Sequence, residues 1–237
     1  MCARYTIKNG VMVAIPRFSV KAERAADFPP RFNVAPSQNA PVVLWGEGGR
    51  TLELFRWGLI PSWAKDAKIG QKLFNARGET VHEKPSFRNA FKKRRSLVPA
   101  DGFFEWPEKG EPALSGVEGF PRRVRRKDEG LFSFAGLWEQ WTSPKGEEVK
   151  SYTIITTEPN EFMAPVHDRM PVILTSDQED EWLNPETPQD RLISLLKTRE
   201  WDDMEVYTVS KLVNSPRNDY PEVIEPLAIG GDLQNTP

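Results

Sequence analysis

The chain is poor in the residues that most often carry redox, metal and secretory chemistry. Its 237 residues hold one cysteine, Cys2, and two histidines, His82 and His167. A single thiol excludes an internal disulfide and fits a reducing compartment. Without a cysteine pair a structural zinc site is not expected. No apolar run approaches the ~20 residues of a membrane span, and the N-terminus has no basic segment followed by an apolar one. The expectation is therefore a cytoplasmic protein, neither exported by that route nor embedded in a membrane. Walker-type, dinucleotide-binding and metalloprotease motifs are also missing, so no cofactor is expected.

What is present is a core and an uneven distribution of charge. Thirteen Phe and eight Trp supply enough apolar surface for a sizeable interior. The net charge of −2 conceals 23 Lys+Arg against 12 Asp+Glu in residues 1–126, and 9 against 22 in residues 127–237. A basic half suggests a polyanionic partner, nucleic acid first, unless folding interleaves the two halves and pairs the charges.

Short strand-like stretches recur at residues 3–8, 42–45, 52–57, 103–106, 131–141, 151–157, 172–174 and 205–210. Gly46-Glu47-Gly48-Gly49 marks a hairpin, and Asp101-Gly102 a turn. A helix is predicted over Ser19–Asp27, capped by Ser19 and stopped by Pro29-Pro30, with a loop over residues 31–36. A second helix over Trp182-Leu183 is predicted to start with a Ser176/Glu179 capping box, and a third over Pro188–Lys197. With no internal repeat and no β-α alternation, these elements predict one α+β domain. It is built on a curved, mostly antiparallel β-sheet or barrel with flanking helices. Its core spans about residues 2–228, with a flexible insertion at 107–122 and a loose tail at 229–237.

Five residues stand out for their chemistry. Loss of Met1 would leave Cys2 with an α-amine and a thiol on adjacent carbons, each with a usable nucleophilic fraction near neutral pH. Such a 1,2-aminothiol can condense with an aldehyde through nitrogen and close a thiazolidine through sulfur, or use its amine as a base for the thiol. A frayed, incidental terminus is the bland alternative. Glu105 projects from Phe-Phe-Glu-Trp: in a desolvated pocket it is a general acid/base, on the wet face of a sheet merely a surface carboxylate. His167 lies in a proline-bounded turn, His-Asp-Arg, where it either exchanges protons or caps the turn. Asn75 and Arg77 would share one face of a strand, able to orient a reacting group and hold a phosphate. A basic set of Arg4, Arg77, Arg88 and residues 92–95 is interleaved with Trp57, Trp63, Phe87 and Phe91. That composition suits single-stranded nucleic acid, although many of those rings must be core.

Seven motifs occur in order: Cys2, Asn33-Val34-Ala35-Pro36, Arg56 to Ala64, Asn75 to Thr80, Val98 to Trp106, Phe134 to Glu139, and His167-Asp168-Arg169-Met170-Pro171. From residue 2 to about 220 the chain resembles the SOS response-associated peptidase (SRAP) family, the abasic-site crosslinking proteins of bacteria and eukaryotes. The resemblance implies that Cys2, freed of Met1, captures the ring-opened abasic sugar as a thiazolidine. It implies that Asn75 positions this cysteine and that Glu105 is the acid/base for imine formation and ring closure. His167 assists sugar ring opening and reversal. Arg4 and Arg77 match phosphate-binding arginines, and Pro36 and Trp63 lie in segments that meet the unstacked flanking bases; Arg88 joins this DNA-binding set. The implied partner is single-stranded DNA containing abasic sites, bound by a monomer without metal, with a lyase-like activity and autoproteolytic removal of Met1. Ala3 departs from the family's glycine, Ser96 from a common cysteine, and residues 111–121 look inserted.

Two rival classes remain on these residues. An N-terminal-nucleophile cysteine amidohydrolase or peptidase would also begin Met-Cys. A non-covalent single-strand binder would leave Cys2 without a task.

Overall fold

A computed structural model describes residues 2–23, 28–107 and 119–228. The first strands are β1 (Arg4–Ile7), β2 (Val20–Glu23), β3 (Arg31–Val34), β4 (Asn39–Gly46) and β5 (Gly49–Trp57). They are followed by β6 (Asn75–Arg77), β7 (Arg95–Ala100), β8 (Gly102–Glu105), β9 (Arg122–Arg126), β10 (Phe132–Thr142) and β11 (Glu148–Thr157). The short β12 (Met170–Pro171) and β13 (Ile173–Leu174) and then β14 (Met204–Thr208) complete the strands. The helices are α1 (Val11–Arg17), α2 (Arg88–Lys93), α3 (Ser176–Leu183) and α4 (Gln189–Leu195).

Strands β11, β10, β7, β4 and β5 are neighbours in that order, and β5 returns to β11 through a parallel pairing of Ser151 with Arg56 and Tyr152 with Trp57. That return closes a barrel, which removes the exposed edges of an open sheet. β2 extends it beyond β5, while β6, β12 and β13 attach along β11 and β10. A second sheet, ordered β14-β9-β8-β1-β3, packs on this barrel. The join is aromatic: the Tyr5 ring on β1 lies 5.1 Å from Trp57 and 6.0 Å from Phe134, both edge-on. The Tyr5 and Tyr152 hydroxyls, both buried, meet at 2.6 Å. Two hydroxyls that satisfy each other can be buried at little cost, whereas either alone would lose its water without replacement.

Several expectations change. Residues 20–23 form a strand rather than the start of a helix, and residues 24–27 lie outside the described residues; the helix occupies 11–17 instead. Residues 20–23 pair in parallel with β5, which outweighs the Ser19 cap signal. Arg31–Val34, read as loop, is a strand because Tyr5 and Ile7 pair with it. The capping box of α3 is one residue earlier: Thr175 accepts from Gln178 N, and Gln178 Oε1 accepts from Thr175 N. Glu179, assigned to that box, is instead buried and takes Arg17 at 2.9 and 3.1 Å, Arg50 at 3.4 Å and the Ser133 hydroxyl at 2.8 Å. Most of the insertion and the tail, 108–118 and 229–237, lie outside the described residues.

Folding interleaves the two halves: Arg125 pairs with Glu205 at 2.7 Å, Arg126 with Asp203 at 2.5 Å and Arg94 with Glu139 at 2.6 Å, so part of the basic half is paired with the acidic half. Arg77, Arg88, Lys92 and Lys93 remain exposed.

Candidate functional site

The site begins with register. β1 runs antiparallel to β8, with Arg4 opposite Phe104 and Tyr5 opposite Phe103. Extending that ladder by one or two residues brings the segment ahead of β1, Ala3 and Cys2, alongside Glu105 and Trp106. Because β1 is flanked by β8 on one side and β3 on the other, the chain's first residues are held inside a sheet. The approach at the start of β8 is tight. A Cβ at Gly102 would sit 2.7 Å from the buried Arg123 guanidinium, which is tied to Asp101 at 3.1 Å. Asp101 also accepts from Lys8 N and from the Thr6 hydroxyl, both at 2.5 Å, and so pins β1 to the β7–β8 corner.

Cys2 is wholly buried, with its Sγ 3.9 Å from the Arg4 carbonyl. Burial pushes the thiol well above its ordinary range, and the charge of Glu105 pushes it further. The resting group is thus a protonated thiol that needs a base before it can attack. Glu105, 1% exposed, has its carboxyl pushed up to about 7 by desolvation, with a further upward push from Asp168. A carboxyl poised near neutrality can both give and take a proton at physiological pH.

His167 reaches this pair from the turn that precedes β12. Its Nε2 lies 3.8 Å from Glu105 Oε2, and its Nδ1 lies 2.6 Å from Asp168 Oδ1 and accepts from Arg169 N at 3.0 Å. Arg169 locks the turn by pairing with Glu79 at 2.7 and 2.9 Å and donating to the Thr156 carbonyl at 2.8 Å. Cys2, Glu105 and His167, separated by up to 165 positions, are thereby linked electrostatically in one place.

Asn75 and Arg77 do share a face of β6: Ala76 between them is buried, Arg77 exposed and Asn75 half-buried. β6 pairs in parallel with β11, Asn75 beside Ile154. The Asn75 amide donates to the Phe74 carbonyl at 3.1 Å, while its buried Oδ1 accepts from none of the described residues. A buried carbonyl of this kind is costly unless it has a transient partner, which makes it a ready acceptor.

Arg4 is half-buried at the mouth of the second sheet. It lies 5.8 Å from the Trp106 ring centroid and donates to the Asn214 carbonyl at 3.3 Å, while Trp106 Nε1 donates to Asn214 Oδ1 at 2.8 Å. This clamp was not legible in the sequence. Asn214 lies more than a hundred residues from its partners, in a 3₁₀ turn over Lys211–Asn214. The buried Asn33 anchors the same segment by donating to the carbonyls of Val213, Ser215 and Asn218 at 3.2, 3.0 and 2.8 Å. The asparagine of the Asn-Val-Ala-Pro motif was the available signal.

The remaining candidates lie apart from the Cys2 cluster in the contacts they make. Pro36 is half-buried in the turn after β3, where Ser37 adopts φ 74°. Trp63 is 57% exposed, and its indole N–H reaches the Pro85 carbonyl at 3.5 Å. Arg88 is exposed at the start of α2. An exposed tryptophan that touches Pro85, with Lys84 and Arg88 exposed within three residues of it, is the composition expected of a surface on which a base can stack. No helix among the described residues is long and apolar enough to cross a membrane.

Comparison with known proteins bears on the family and the fold. The chain is 48% identical over 227 residues to abasic site processing protein YoqW of Bacillus subtilis (strain 168), covering 95% of this chain and 99% of that protein. It is 32% identical over 234 residues to abasic site processing protein HMCES of Gallus gallus, covering 87% of this chain and 69% of the other. Its fold is similar to that of a crystal structure of a protein from Bacteroides thetaiotaomicron, with TM-score 0.84 and 28% identity over 96% of this chain and 100% of that one. The model of the SOS response associated peptidase (SRAP) family matches residues 1–216, which includes every residue of the Cys2–Glu105–His167 cluster, and the chain therefore belongs to that family.

Proposed function

We propose that this protein captures abasic sites in single-stranded DNA by forming a covalent thiazolidine at Cys2 after loss of Met1. One observation carries the reading. The end of the chain is held beside a buried carboxyl pushed up to about 7, with a histidine 3.8 Å from that carboxyl.

The chemistry follows from those groups. The Cys2 α-amine adds to the aldehyde carbon of the ring-opened sugar. Glu105, as the acid, protonates the departing hydroxyl, and water leaves to give a protonated imine (iminium). The ionised Glu105 then takes the proton of the buried thiol, and sulfur closes the five-membered ring on the imine carbon. The balance is one aldehyde plus one aminothiol giving one thiazolidine and one water. A thiol held above its ordinary pKa does not react prematurely, and it gains its nucleophilic form beside the base. His167 supplies or removes the proton at the sugar's ring oxygen. The Asn75 carbonyl offers an acceptor to the amine.

An abasic sugar carries no base to be flipped out, and a single strand needs no unpairing, so both costs of reaching a lesion in a duplex are absent. Trp63, Pro36, Arg77 and Arg88 would take the flanking bases and phosphates, with Arg4 on a further phosphate. The two relatives' names, abasic site processing proteins, support this substrate class.

The test is a denaturing gel after incubation with abasic and intact oligonucleotides of one sequence. A shifted band is expected with the abasic strand alone, and Cys2→Ala should abolish it. An equal band from Cys2→Ala refutes the covalent role of the thiol. Retention of Met1 in intact mass of the wild-type protein closes the thiazolidine route.

A further inference from the structure

His167 carries two incompatible claims on one nitrogen. Its Nδ1 lies 2.6 Å from Asp168 Oδ1, an ion-pair contact that is attractive only with a proton on Nδ1, and it accepts a hydrogen bond from Arg169 N at 3.0 Å, which needs the lone pair. Three charged groups stand near the ring among the described residues. Glu105 of β8 faces Nε2 at 3.8 Å, Asp168 faces Nδ1, and the Arg169 guanidinium is engaged by Glu79. A carboxylate oxygen 2.6 Å from a bare nitrogen lone pair is repulsive, whereas the same oxygen attracts a proton carried on that nitrogen. Asp168 therefore outweighs the backbone N–H.

We propose that Asp168 is a positioning residue that keeps a proton on Nδ1 of His167, so that Nε2, the nitrogen facing Glu105, is the end that gains and loses protons. When His167 is charged, both nitrogens carry protons, Nδ1–H on Asp168 and Nε2–H towards Glu105. When Nε2 gives up its proton, the Nδ1 proton stays on Asp168 and the lone pair left behind faces the carboxyl from which a new proton can come. Had Arg169 N–H won, the neutral ring would hold its proton on Nε2 and could not accept one there. The geometry also fixes the ring, since Nδ1 keeps the same carboxylate in both charge states. The upward push of Asp168 on Glu105 agrees with this, because a carboxylate beyond the ring favours protonation throughout the cluster.

The assignment of a catalytic use to this proton rests on the functional reading above, but the proton's position does not, and the experiment separates them. Imidazole ¹⁵N NMR across pH on the purified protein reports tautomer and titration midpoint, with His82→Gln identifying the His167 signals. The wild type is expected to show the Nδ1–H tautomer above its midpoint. Asp168→Asn should switch it to Nε2–H and lower the midpoint by about one pH unit, and Asp168→Glu should restore the midpoint. The side chain of Asp168 is 74% exposed, so these variants are expected to fold. Identical tautomer and midpoint in wild type and Asp168→Asn overturn the proposal, whatever the crosslinking result. In the gel assay, Asp168→Asn should slow crosslinking about tenfold near pH 7, with the loss recovered at lower pH. The expected NMR change in a wild-type protein that forms no crosslink overturns the functional reading and leaves the proton on Nδ1.

Discussion

Glu105 and Glu179 are both 1% exposed, and they have been put to opposite uses. Glu179, under α3, is neutralised by two guanidiniums and a serine hydroxyl, and it ties α1, β5, β10 and α3 together. Glu105 faces a histidine across 3.8 Å, and its carboxyl is pushed up to about 7, by desolvation first and by the charge of Asp168 to a lesser degree. A buried acid held by fixed cations is structural. One buried against a group that itself exchanges protons is poised to titrate. Burial alone distinguishes nothing; the company does.

Exchanging each glutamate for its neutral isostere sharpens that contrast. Glu105→Gln removes the acid/base and is expected to lower the crosslinking rate by about 10²–10⁴-fold while leaving the fold intact, measured as single-turnover band formation. Glu179→Gln should do the reverse. It leaves Arg50 and Arg17 without their counter-charge and is expected to cost about 3–5 kcal/mol in urea unfolding, with crosslinking per folded molecule unchanged. Equal loss of stability in the two variants would break the comparison.

A smaller effect concerns pH. The folded-state value of about 7 for Glu105 lies above the ordinary glutamate value of roughly 4.3. The folded protein thus holds a proton that the unfolded chain has released. That stabilisation is complete below about pH 4 and is lost as pH rises through 7, a decline on the order of 3 kcal/mol. Urea unfolding at pH 5 and pH 8 should show this decline in the wild type in excess of that in Glu105→Gln. Parallel declines would place its source elsewhere.

Much of the site was legible because its residues sit in short motifs whose local chemistry is unusual: a carboxylate in Phe-Phe-Glu-Trp, a histidine in a proline-bounded turn, an Asn and an Arg two apart on a strand. Four of the five barrel strands, all but β7, were legible as strand-like stretches, and the hairpin from its glycines. What sequence could not give was long-range pairing. Asn214 under Arg4 and Tyr152 against Tyr5 are ordinary polar residues until the chain brings them together. The helix expected at 19–27 failed for a related reason. A parallel partner in β5 decided that stretch, and local propensity carries no information about such a partner.

The burial of Cys2 has a consequence for the order of events during synthesis. β8, the neighbour of β1 in the sheet, is translated about a hundred residues after it. The pocket that encloses the Cys2 thiol is therefore completed only once β8 has been made, and until then the thiol is as open to small reagents as any side chain of a nascent chain.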